Sequence, residues 1–305
     1  MPTFEQLLQG VPTGDALIWA SILPFLLGLF LVALALRRTA PGGSTAWGAS
    51  LALLGAWIAI HIAVWGPPPM PPVMAYDWLI VGVPLAALAA LWTAANRDRR
   101  KLGLAIQVVA AVTLAGLTLW PRLRVAGWGP WENTWRSAVL GGAILVAWLG
   151  ALRGAARRPA RESLGLQLAT ASCAAIAVGM SGTQNMAQAA GGVAACLAGA
   201  LLASMRQADG AGRLALGSAP IAAAAVGGLL LNGHLFAYVE LRVFLLCLAP
   251  LLLAPAGALL WPNKRGLIAD ALRVLVLAAP ALLGAALAVM TFQAEAATDG
   301  SAGYY

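Results

Sequence analysis

Charge is scarce in this chain: 19 Lys and Arg against 11 Asp and Glu leave 10% of its 305 residues charged. A soluble domain carries about 25%, so a cytosolic enzyme, a disordered tail and a nucleic-acid-binding domain are all excluded. The formal net charge of +8 would suggest a polyanion partner in a soluble protein. Here no basic patch is interleaved with aromatics as a single-strand groove requires, so no nucleic-acid partner is expected.

Cysteine and histidine are scarce too. Cys173, Cys196 and Cys247 each lie inside an apolar stretch and show no CxxC or Cys/His spacing; they read as small, soft side chains in helix packing. There is no HExxH, GxSxG or GxxxxGK[ST] motif, which leaves the chain without a recognisable catalytic template. Carboxylates are expected near the boundaries of the membrane only: Asp15, Asp77, Glu132 and Glu240 on one side, and Asp270, paired with Arg273 three residues on, at the other. With no ionisable group expected at mid-depth, transport driven by a buried acid and a proton channel are disfavoured.

Apolar side chains fill the space that charge leaves, at 61% of the sequence and a mean hydropathy of +0.83. This is the composition of a polytopic membrane protein. Ten apolar segments separate at turn and charge signals, at about 14–36, 45–65, 77–95, 101–120, 134–152, 163–179, 185–205, 214–232, 239–261 and 267–291. Lengths near 20 residues match the hydrocarbon thickness. The fold expected is therefore an all-α transmembrane bundle of about ten spans, a single domain over 1–291 with a polar tail at 292–305.

Basic residues sort the connections. Fourteen of the 19 lie in alternate loops: Arg37 and Arg38; Arg97, Arg99, Arg100 and Lys101; Arg153, Arg157, Arg158 and Arg161; Arg206 and Arg213; Lys264 and Arg265. Only Arg122, Arg124, Arg136 and Arg242 fall on the other side. The positive-inside rule then puts both termini on the non-cytoplasmic side of a bacterial-type inner (plasma) membrane. Loop 121–133 is the one dissenting connection. Residues 1–13 hold Glu5 and no Lys or Arg, unlike the basic start of a secretory signal, so the first segment is expected to be a retained span.

Eleven of the 12 tryptophans precede residue 150, dividing the domain into a Trp-rich half, 14–152, and a small-residue-rich half, 163–291. Gly191, Ala195 and Gly199 recur every fourth residue, as do Ala223 and Gly227, a spacing that lets helices approach closely. The seventh and eighth segments are expected to be central. Pro24, Pro84, Pro250, Pro255 and Pro280 predict kinks.

Three groups carry the candidate chemistry. The uncharged polar hairpin Ser181, Thr183, Gln184 and Asn185, continued by Gln188 and joined by Asn232, has the character of a solute path at a glycine-interrupted helix break. Glu240 and Arg242 form a compact charged group on the outer side. His61 and His234, the two histidines, fall at similar depth and are candidate ligands for a metal, haem or pigment. Each also has a structural reading, as a turn, a helix-start pair and interfacial caps. The sequence favours a small-solute transporter or exporter embedded in the lipid bilayer and not driven by a buried acid. The alternative is a non-catalytic scaffold or anchor subunit bound to other membrane subunits, with a cofactor held by the outer-side histidines.

Overall fold

The computed structural model describes residues 18–38, 45–96, 98–124, 129–205, 214–259 and 266–301. They form ten α-helices and no strand: α1 (Leu23–Arg38), entered through a π-helical turn at Ile18–Ile22, α2 (Ala46–Trp65), α3 (Leu79–Ala95), α4 (Arg100–Arg124), α5 (Pro130–Arg157), α6 (Ala160–Met180), α7 (Gln184–Met205), α8 (Leu214–Phe236), α9 (Leu241–Leu253) and α10 (Leu267–Ser301). Each lies on one of the ten apolar segments. In hydrocarbon every backbone group must be satisfied within the segment, and the helix does this. Asp15, Trp128, Arg97, Arg206, Arg213, Lys264 and Arg265 lie outside the described residues.

Seven helices, α2, α4 to α8 and α10, are long and apolar enough to cross a membrane. The other three are shorter. The ninth apolar segment reads as a continuous span in the sequence, but α9 stops at Leu253 and continues as a 3-10 helix over Ala254–Leu259. Pro250 and Pro255 remove two backbone donors there, which weakens the i to i−4 ladder. In α10 the opposite happens: the helix runs on to Ser301, so the segment read as a polar tail is helical that far.

The eighth helix is the axis of the bundle. Of its apolar window 94% is buried, and it packs against α2 to α7 and α9. Those seven close a ring in the order α2, α3, α4, α5, α9, α6, α7. On the outside of the ring α1 docks against α2 and α7, and α10 against α6 and α9. A central helix with so many neighbours needs a thin surface, and α8 supplies it with the run Gly217-Ser218-Ala219-Pro220-Ile221-Ala222-Ala223-Ala224-Ala225.

Between apolar helices in lipid, association relies on close packing rather than on the hydrophobic effect. The closest approaches are at glycines. A Cβ on Gly28 would overlap the Cys196 carbonyl, and one on Gly199 would overlap the Phe25 carbonyl, so α1 and α7 touch backbone to backbone. Gly217 meets the Ala46 carbonyl likewise, and the Ser50 hydroxyl donates to the Gly217 carbonyl at 3.1 Å. The expected face of α7 is only half realised: beyond Gly191 lies open space. Gly227 does face a neighbour, Ile144 of α5.

These contacts also fix direction. Gly217 beside Ala46, Gly103 beside Thr93, Gly154 beside Ala254 and Gly165 beside Val274 bring the starts of the even helices and the ends of the odd ones to one end of the bundle. Gly233 beside Val178 brings the ends of α6 and α8 together at the other. The first end is where Arg37, Arg38, Arg99, Arg100, Lys101, Arg157 and Arg158 lie; it is called the basic end below.

Candidate functional site

At the end opposite the basic one, the connection from Gly66 to Trp78 contains Pro67, Pro68, Pro69, Pro71 and Pro72. Proline cannot donate, and side chains supply part of what holds this segment. The Asp77 carboxylate accepts from the backbone amides of Val73 at 3.2 Å and Met74 at 2.8 Å. Tyr76 stacks on Trp65 with ring centroids 5.3 Å apart, and Trp65 packs on His61 at 5.0 Å. Burial and the neighbouring Asp77 charge both raise the Tyr76 phenol above its ordinary pKa, so it remains a neutral hydrogen-bonding group.

Beneath this loop lies a cavity of about 720 Å³, within the range of about 300–1,000 Å³ typical of small-molecule sites. Tyr76 and Trp78 come from the loop, Trp120 and Arg124 from α4, Met186 from α7, and Asn232 and Phe236 from α8. The Arg124 guanidinium lies over the Trp120 ring, 5.4 Å from its centroid. Asn232 is fully buried; its amide donates to the Gly228 carbonyl at 2.9 Å, while its carbonyl oxygen has no partner. A buried acceptor left unpaired is costly, and a ligand with a donor would relieve it.

A second cavity at the same end, of about 410 Å³, is bordered by Ser181, Gly182, Tyr238, Glu240 and Thr291. Here the structure brings together two groups that the sequence separated, the polar hairpin and the outer charged pair. Glu240 and Arg242 form an ion pair, with a further bond from Arg242 Nη2 at 3.0 Å and one from the Thr291 hydroxyl at 3.4 Å. The hydrogen bond from Arg242 holds the Glu240 carboxyl below the usual carboxylate range.

The rest of the polar hairpin behaves as a turn. The Ser181 and Thr183 hydroxyls both donate to the Val178 carbonyl, at 2.7 and 3.0 Å, and Gly182 takes a left-handed φ of 86°. Gln184 and Asn185 are exposed and Gln188 is half-buried; none of the three borders either cavity. The histidines are not brought together by their contacts. His61 is buried between Trp57 and Trp65 with both ring nitrogens unpartnered, whereas His234 Nδ1 lies 2.6 Å from the Val239 carbonyl and its ring packs on Phe244. Among the described residues no three His, Cys, Asp or Glu side chains gather as a metal site would require.

Two buried polar groups escaped the sequence reading. At the basic end Arg158 meets Glu162 at 2.5 Å, Arg273 meets Glu162 at 3.6 Å and Asp270 at 3.2 Å, and Arg161 meets Asp270 at 2.8 Å. The Asp270–Arg273 pair was legible from its spacing; its embedding in a five-member cluster was not. The Arg158 and Glu162 side chains are each 2% exposed, and the guanidinium occupies the place where a Cβ of residue 257 would stand, so a side chain there would displace it. Burial pulls the Arg158 pKa below its ordinary value, with Glu162 opposing. Within the ring, Trp148 donates to Gln107 at 2.8 Å and Gln107 donates to Thr93 at 3.1 Å, linking α5, α4 and α3. The i, i+4 spacing of Arg158 and Glu162 was the one available signal for either group.

The sequence matches no family model. No curated protein matches it either.

Proposed function

We propose that the protein is a small-solute transporter of ten spans, with both termini on the non-cytoplasmic face of a bacterial-type inner membrane. Its solute binds in the 720 Å³ cavity beneath the 66–78 loop. The observation that carries this reading is the unpartnered Asn232 carbonyl at the wall of that cavity. By the positive-inside rule the basic end faces the cytoplasm, so the cavity opens outward. At the cytoplasmic end the cluster of Arg158, Arg161, Glu162, Asp270 and Arg273 ties α6 to α10 and packs against the broken end of α9. A site open to the outer face is what one half of an alternating-access cycle presents. The two acids of the cluster, Glu162 and Asp270, lie in the first turns of α6 and α10 and are paired with arginines, which supports a cycle without an acid at mid-depth.

The Met186→Trp variant crowds the cavity and the Asn232→Leu variant removes its polar contact. In proteoliposomes loaded against a panel of labelled small metabolites, both are expected to slow uptake of any solute the protein carries. Flux indifferent to both variants overturns the reading. So does a protein that purifies in mild detergent with a stoichiometric second chain and carries nothing, which is the outcome a scaffold subunit predicts.

A further inference from the structure

We propose that the cavity beneath the 66–78 loop takes small, largely apolar anions that carry a hydrogen-bond donor, the anion facing Arg124 and the donor facing Asn232. This rests on the reading above that the cavity is the solute site.

The charge of the lining selects the sign of the ligand. Among the described residues Arg124 is the one charged side chain bordering the cavity, and its guanidinium sits on Trp120, which is half exposed. The carboxylate of Asp77, between the lining residues Tyr76 and Trp78, is buried and turned to the amides of Val73 and Met74. A cationic solute would therefore meet a like charge and no acid, whereas an anion meets a planar donor suited to carboxylates.

Chemistry within the cavity selects the rest. Its walls are mostly Pro, Met, Phe, Tyr and Trp side chains, which favour an aromatic or alicyclic body that stacks on Trp78 or Trp120. The Asn232 carbonyl, buried and unpartnered, accepts but cannot donate. It favours a solute N–H or O–H over an isostere without one, because a site built around an acceptor rejects a ligand that leaves it unpaired.

The test uses the full chain in nanodiscs, with empty nanodiscs as the control, and calorimetry of three probes of similar size. Indole-3-acetate has the carboxylate and an N–H, 1-naphthylacetate has the carboxylate alone, and tryptamine has the N–H and a cation. Indole-3-acetate is expected to bind about tenfold tighter than 1-naphthylacetate, and tryptamine weakest. In Asn232→Leu the two carboxylates should bind alike. In Arg124→Gln, at an exposed position that folding tolerates, both carboxylates should weaken about threefold while tryptamine does not.

Tryptamine binding as tightly as indole-3-acetate overturns the proposal, as does a tenfold preference that survives Asn232→Leu, or the absence of binding by all three. Should Asn232→Leu not fold, the Arg124→Gln comparison decides alone. The expected binding pattern without any flux in proteoliposomes removes the transport reading and leaves the ligand class standing. Flux abolished by Met186→Trp together with a preference for the cation does the reverse.

Discussion

Two buried residues with similar exposure have different consequences if changed. Glu162 neutralises Arg158 where water cannot, and removing one partner of such a pair leaves a bare charge, at about 3–5 kcal/mol. Glu162→Gln is therefore expected to lower the melting temperature in detergent sharply, while the double change Arg158→Met with Glu162→Leu recovers most of the loss. A double variant no more stable than the single one would contradict this. Gln107 bridges Trp148 and Thr93 without charge, so Gln107→Leu should cost about 1–2 kcal/mol, readable as a small shift in the same melt. His61, with no hydrogen-bond partner and aromatic rings on both sides, acts as a buried packing side chain. His61→Phe is expected to leave the fold intact.

At the level of elements, backbone proximity decides which glycines matter. Gly28 and Gly199 place α1 against α7 with no room for a side chain, while Gly191 on the same helix faces open space. Gly199→Val should release α1 from the ring and lower stability, and Gly191→Val should not; equal melts for the two would refute the packing described. The break in α9 follows the same logic from the other side. Pro250 and Pro255 end the α-helix, the backbone tightens into the 3-10 helix Ala254–Leu259, and Gly257 in that turn admits the Arg158 guanidinium. Gly257→Ala should therefore mimic Glu162→Gln in the melt, since both disturb the Arg158–Glu162 pair.

For the whole molecule, the prediction concerns sidedness. Tyr238, 94% exposed, and Arg99, also exposed, lie at opposite ends of the bundle. The three native cysteines are buried and give a low background. In spheroplasts a membrane-impermeant maleimide should label Tyr238→Cys at once and Arg99→Cys only after lysis. The reverse pattern would invert the orientation, and labelling of both from one side would remove one of the five helices between them, α4 to α8, from the count of spans.

That the chain folds as apolar α-helices, one on each of the ten apolar segments, followed from the sequence alone, because it depends on local composition: an apolar run must satisfy its own backbone in lipid. The centrality of α8 was legible in its alanines and glycines for the same reason. What no local pattern encodes is adjacency. That Ser181 and Glu240 border one cavity, that His61 and His234 have different neighbours, that Asn232 borders a cavity with Trp78 and Trp120 rather than with Gln184 and Gln188, and that Glu162 is enclosed by Arg158 and Arg273 were all decided by which helices pack side by side. Apolar faces in a membrane are nearly interchangeable by sequence, and only the close fit of small residues in three dimensions chooses among them.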